Sequence, residues 1–234
     1  MPDPLSTERH DDVELVTLQR PDKRNALSIE LRVELAEAFT RLSDDASVGC
    51  VVLTGAGTAF CAGMDVTQFG GDFDHRRRLV ETSTQAFDAV ARCRRPVIAA
   101  VNGPAVAGGF ALALLCDIRL AADAARFGYP ELPRGIPPSY AAARSSLPAA
   151  VARELCLTGR VIDAHEASTL GVATEVVDGD VGSRAIELGR RIAAMPREAV
   201  LETKRRAVLE RDRVWGLLFD EERRAFSRAL LGEE

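Results

Sequence analysis

Two apolar runs, Val51–Leu53 and Val97–Val101, are each followed by a glycine-bearing stretch: Phe60-Cys61-Ala62-Gly63-Met64-Asp65 after the first, Ala107-Gly108-Gly109-Phe110-Ala111 after the second. The runs have the character of buried strands, and each glycine stretch leads into residues that can start a helix. A chain written this way is constrained to an α/β fold in which backbone N–H groups point outward at helix N-termini. Glycine lets a ligand carbonyl approach backbone that a side chain would cover. The two stretches are therefore candidate halves of an oxyanion hole, with Pro130-Glu131 supplying one acid downstream. Taken singly, each also fits an ordinary strand-to-helix turn.

The alternation of Val13, Leu15 and Thr17 against Glu14, Val16 and Leu18 predicts a strand, and the polar residues 1–11 before it are expected to be mobile. Ser28 suits a helix N-cap, with Leu31, Leu35, Phe39 and Leu42 at helical spacing behind it. A strand over Cys50–Thr54, a helix from Arg76 to Arg92 and a strand over Pro96–Val101 continue the alternation expected of stacked ββα or βαβ units. Gly70-Gly71-Asp72 reads as a flexible loop over the site. After Ala121 the pattern turns helical; Asp163 and Glu166 make a capping-box-like pair, and Gly171 is placed to end that helix. The chain divides into a core over residues 1–180 that carries the site and a helical region over 181–234. In the latter, Leu201, Leu209, Trp215, Leu218, Phe219, Phe226 and Leu230 supply apolar faces.

At 234 residues, 47% hydrophobic and 28% charged, the chain can bury one sizeable core and reads as an ordinary soluble domain. Its formal net charge of −5 gives no support for a nucleic-acid partner, and no apolar run is long enough to span a bilayer. The five cysteines (Cys50, Cys61, Cys93, Cys116, Cys156) show no C-x-x-C spacing and follow no secretory signal. They read as reduced thiols of a cytoplasmic protein. Cys61 lies beside the candidate hole but has no histidine near it in sequence, so a small buried side chain is the favoured reading. His10, His75 and His165 have no metal-ligand spacing.

In order and spacing, Leu18 to Ser28, Phe60 to Asp65, Ala100 to Gly109, Cys116 to Arg119 and Phe127 to Glu131 resemble the enoyl-CoA hydratase/isomerase (crotonase) superfamily. The likeness continues through Leu157 to Arg160 and Ala164 to Val177. It implies a crotonase-like ββα superhelix with a C-terminal helical region that builds trimers or hexamers. The substrate is then an acyl-CoA thioester, and no separate cofactor is expected because coenzyme A is part of the substrate. By resemblance the amides of Met64 and Gly108 hold the thioester oxygen, Gly109 allows close approach, and Glu131 matches one of the family's two catalytic glutamates. Lys23 and Arg24 fall on the loop expected to meet the CoA phosphates, with Ala26 and Ala62 offering backbone contacts. Ser139 and Tyr140 could orient the acyl group; capping and packing roles fit them equally.

Ala111 departs from the pattern, since hydratases of the family carry their second glutamate there. Hydration needs water activated at one carbon and a proton supplied at the next; moving a double bond needs one base that takes a proton and returns it nearby. The expectation is accordingly enoyl-CoA double-bond isomerisation. Hydration, or another enolate reaction of the superfamily, is the alternative, and a non-catalytic acyl-CoA binding protein is a third.

Overall fold

The computed structural model describes residues 3–231. In chain order the elements are β1 (Leu5–His10), β2 (Val13–Leu18), α1 (Ile29–Asp44), β3 (Cys50–Gly55), α2 (Phe73–Ala91), β4 (Val97–Val101), β5 (Ala105–Val106) and α3 (Gly108–Leu115). There follow β6 (Ile118–Ala122), β7 (Arg126–Gly128), α4 (Tyr140–Ser146), α5 (Ala149–Thr158), β8 (Val161–Asp163), α6 (Ala164–Thr169), β9 (Glu175–Val177), α7 (Val181–Ala193) and α8 (Arg197–Leu231). A six-stranded sheet runs in the order β1-β2-β3-β4-β6-β9, and a three-stranded sheet in the order β5-β7-β8. From β2 to β9 the large sheet is parallel; only β1 joins it antiparallel.

Continuous apolar runs form β3 and β4 because the large sheet is covered on both faces. Val51 and Leu53, with Val97, Ala99 and Val101, point into the main core under α1–α6. Cys50 and Val52, with Ile98 and Ala100, point the other way, into a second cluster closed by Val181 and Ala185 of α7. α8 lies across α2 and α4, where Trp215 is 1% exposed, stacks on Phe219 and donates from Nε1 to Asp88 at 3.0 Å.

Several sequence expectations are corrected. Residues 5–10 are not a mobile lead-in but an edge strand, paired with β2 through a tight Asp11-Asp12 turn in which Asp11 takes φ 57°; aspartate tolerates that conformation. β7, β8 and β9 lie in the stretch expected to be helical, and at three residues each they are too short to show alternation. α2 starts at Phe73 rather than Arg76 because Asp72 caps it, accepting from the His75 N–H at 2.8 Å. Ser28 does cap α1, and Asp163 caps α6.

Candidate active site

The two glycine stretches meet. The chain leaving β3 bonds to β5 by Val106 N–H to Cys61 O at 3.1 Å, and a Cβ placed on Gly63 would lie 2.8 Å from Ala107 Cβ and 2.9 Å from Gly108 N. Glycine is required at 63 by this approach and by its φ of +89°. At Gly108 a Cβ would lie 3.7 Å from Met64 N, so the two amides border one small space. Among the described residues neither the Met64 nor the Gly108 N–H donates to any acceptor. Two neighbouring, fixed and unused donors are what a developing oxyanion needs.

Ala107 aims the second donor. It precedes α3 at φ 54°, ψ −129°, a conformation costly for a residue with a Cβ, by about 1–3 kcal/mol. Its N–H is held by Gly128 O at 2.9 Å. Gly109 makes room within the fold: a Cβ there would lie 2.1 Å from Cys61 O, so the residue admits the backbone of the first glycine stretch. Ala111 is 2% exposed in the main core. Burial pushes the Cys61 thiol up to about 12, which keeps it neutral.

The candidate CoA loop is fastened to the first stretch. Ala62 N–H donates to Arg24 O at 3.0 Å, Leu27 N–H to Gly63 O at 2.8 Å, and Asp65 N–H to Leu27 O at 3.2 Å. Arg20 bridges the same two segments, pairing with Asp65 at 2.8 Å and donating to Ala26 O. Asn25, fully buried, ties the loop down through Ala56 O and Ala59 O at 2.9 and 2.8 Å. Lys23 and Arg24 are exposed and take part in no ion pair among the described residues, while Ala26 and Ala62 are half-buried beneath them.

Glu131 reaches the site through β7. Val106 pairs with Gly128, so the turn carrying Glu131 begins next to the residues that lead into Gly108. Tyr129, buried against Phe110 of α3 with ring centroids 5.0 Å apart, fixes that turn to the helix of the hole. The Glu131 carboxyl is half-buried, its Oε2 has no hydrogen-bond partner, and burial pushes it up to about 7. Such a group can take or give a proton near neutrality. Exposed Val66 and Ile136, outside these elements, and Phe73, at the start of α2, leave apolar surface open to solvent.

Ser139 is committed within the fold: its hydroxyl caps α4, accepting from Ala142 N–H at 3.3 Å, and donates to Glu222 Oε2 at 2.8 Å. Tyr140 is half-buried against the main core. Sequence reasoning missed Glu222, which also accepts from Ala141 N–H at 2.6 Å, because a glutamate within a charged helical run gives no local signal. It missed Phe87 too, whose Cζ would lie 3.6 Å from a Cβ on Gly108; helical spacing alone marks that residue only as apolar.

The chain is similar to known proteins along most of its length. The family model for enoyl-CoA hydratase/isomerase matches residues 8–226, and the chain belongs to that family. A probable enoyl-CoA hydratase of Mycobacterium bovis is 33% identical over 98% of this chain and 91% of its own length. Another probable hydratase, from Mycobacterium tuberculosis, is 40% identical over 86% of this chain and 78% of its own length. An enoyl-CoA hydratase/isomerase structure from Mycobacterium paratuberculosis superposes with a TM-score of 0.92 at 33% identity, covering 99% and 95% of the two chains. A monofunctional enoyl-CoA isomerase from Mycobacterium smegmatis superposes at 0.75, also at 33% identity, covering 90% and 94%.

Proposed function

We propose that the protein isomerises β,γ-enoyl-CoA esters to α,β-enoyl-CoA esters. The thioester oxygen accepts from the Met64 and Gly108 N–H groups, each contributing about 2.7–4 kcal/mol to stabilising the enolate. Glu131 as carboxylate takes a proton from the α carbon. The electron pair forms the α,β double bond as the β,γ bond gives way, and Glu131 returns the proton to the γ carbon. Coenzyme A belongs to the substrate, its phosphates facing Lys23 and Arg24, and no further cofactor enters. The observation that carries this reading is the half-buried carboxyl of Glu131, its Oε2 without a hydrogen-bond partner and poised at about 7; alanine at 111, where by resemblance hydratases of the family carry a second glutamate, supports it.

Hydration is the second reading, favoured by the names of the M. bovis and M. tuberculosis relatives. Incubating the purified chain separately with β,γ- and α,β-enoyl-CoA esters of several lengths, and separating enoyl from β-hydroxyacyl products by chromatography, decides between them. Double-bond migration without hydroxy product supports isomerisation; efficient formation of β-hydroxyacyl-CoA replaces it with hydration. A homotrimer or hexamer in the cytoplasm, with the C-terminal helices at the interface, completes the proposal. Leu209 and Leu217, 50% and 76% exposed on α8, give such an interface apolar contact.

A further inference from the structure

A cavity of about 420 Å³ opens at the far end of α3 from Gly108, walled in part by Asp117, Arg119, Arg144, Ser145, Ser146 and Arg211. Arg119, Lys204 and Arg211 are 7%, 5% and 8% exposed, and one carboxylate, Asp117, faces them. Asp117 is fully engaged. Both its oxygens accept from Lys204 Nζ at 2.7 Å, Oδ1 also from Arg211 at 3.3 Å, and Oδ2 also from the Val97 N–H at 2.8 Å. Arg119 donates only to carbonyl oxygens, Val172 O at 2.5 Å and Cys116 O at 2.8 Å, and has both the Arg211 and the Asp117 charge near it. The Cys116 thiol supplies no compensating charge, because burial pushes it up to about 12. Arg144 is half-buried and takes part in no ion pair among the described residues; Glu210, which also lines the cavity, is exposed and pairs with neither Arg119 nor Arg144.

Three buried cations therefore share one carboxylate, and the cavity wall adds a fourth cation, Arg144, against one solvated carboxylate, Glu210. Helix ends cannot close the gap: the C-termini of α3 and α4 both face this region, and each brings only about half a negative charge. An uncompensated charge out of water is costly. We infer that this cavity is an anion site in which Arg119 and Arg144 hold one carboxylate or phosphate group, with Arg211 behind them. A guanidinium presents paired N–H donors that match either group. The site is separated from the oxyanion hole by the length of α3, roughly 12 Å at 1.5 Å per residue, so it is distinct from the loop of Lys23 and Arg24.

The anion can be free in solution or can be an acidic side chain of a second copy of this chain. Titration calorimetry of the full chain with inorganic phosphate and with succinate, against chloride at matched ionic strength, tests the first source; sedimentation of the same samples tests the second. Saturable binding of either probe is expected, weakened about tenfold in Arg144→Gln, with turnover of enoyl-CoA esters unchanged. Arg119→Gln should abolish binding, and since that buried change can prevent folding, the half-exposed Arg144 carries the test. If neither probe binds but the wild type is an oligomer that Arg144→Gln dissociates, the anion comes from the second copy and the site stands. Absence of both effects, or probe binding indifferent to Arg144, overturns it.

Discussion

Glu131 and Glu222 are both half-buried carboxyls raised by burial, and both add their charge to the surroundings of Tyr129 and Cys156. What separates them is their partners. Glu222 accepts from the Ala141 N–H and the Ser139 hydroxyl, one on each oxygen, and those bonds oppose the rise that burial imposes. Glu131 Oε2 has none. A buried carboxyl with both oxygens satisfied is a strut; one left open is available as a reagent. The strut also bears on the reagent, because Tyr129, two residues before Glu131, donates its hydroxyl to Ser139 O at 3.2 Å.

The sharpest way to break this contrast is Glu131→Gln. Turnover of β,γ-enoyl-CoA should fall about a thousandfold, within the range for losing a general base, while calorimetric affinity for a CoA ester changes little. Unchanged turnover would remove Glu131 as the base. Next in size is the pH dependence. Below about 7 Glu131 is the neutral acid and cannot accept a proton, so kcat/KM should rise about tenfold per pH unit up to that point and then level off. Glu222→Gln should leave the position of that bend unmoved; a profile flat from pH 5 to 8 in the wild type would contradict the assignment.

Smaller effects belong to the strut. Glu222→Ala strands the Ala141 N–H and the Ser139 hydroxyl, which should cost about 1–3 kcal/mol of stability. It should also lower turnover about tenfold by loosening the segment that orients Tyr129 and Glu131. Glu222→Gln keeps one acceptor oxygen and should recover most of both losses. Thermal unfolding and steady-state kinetics on the two variants check this. Equal turnover in wild type and Glu222→Ala would confine Glu222 to the fold.

What was legible in advance follows the same division. Met64, Gly108 and Glu131 belong to short local patterns, and the structure brings the two amides together and carries Glu131 in on the strand beside them. The elements missed depend on distant partners. β1 exists because β2 offers it a ladder, and β7 because β5 and β8 lie on either side of it. At Gly109 it is Cys61 O that comes close, and a sequence shows a glycine without showing which backbone it makes room for. Glu222 lies 83 residues beyond Ser139, and nothing in its own helix distinguishes it from Glu221.

The smallest effect is the most discriminating because partnering makes its course with pH differ between the two carboxyls. Glu131 has its folded value, about 7, raised above the ordinary 4.5, so the folded state binds its proton more tightly than the unfolded chain does. The stability this adds is fully present below about 4.5 and is lost as pH rises through about 7. At pH 8 the wild type holds an ionised, unpartnered carboxylate in a half-buried position, and Glu131→Gln removes that charge without changing its shape. The melting midpoint of Glu131→Gln should therefore exceed the wild type's at pH 8, by about 2–4 °C for a chain of this size, and the advantage should vanish towards pH 5. At Glu222 burial also raises the folded value, so losing the charge helps there too, but the same substitution leaves one of two donors without its acceptor at every pH; its midpoint should therefore gain less at pH 8 and fall below the wild type's towards pH 5. If the two variants shift equally at both pH values, partnering does not distinguish the two groups, and the assignment of reagent and strut fails with it.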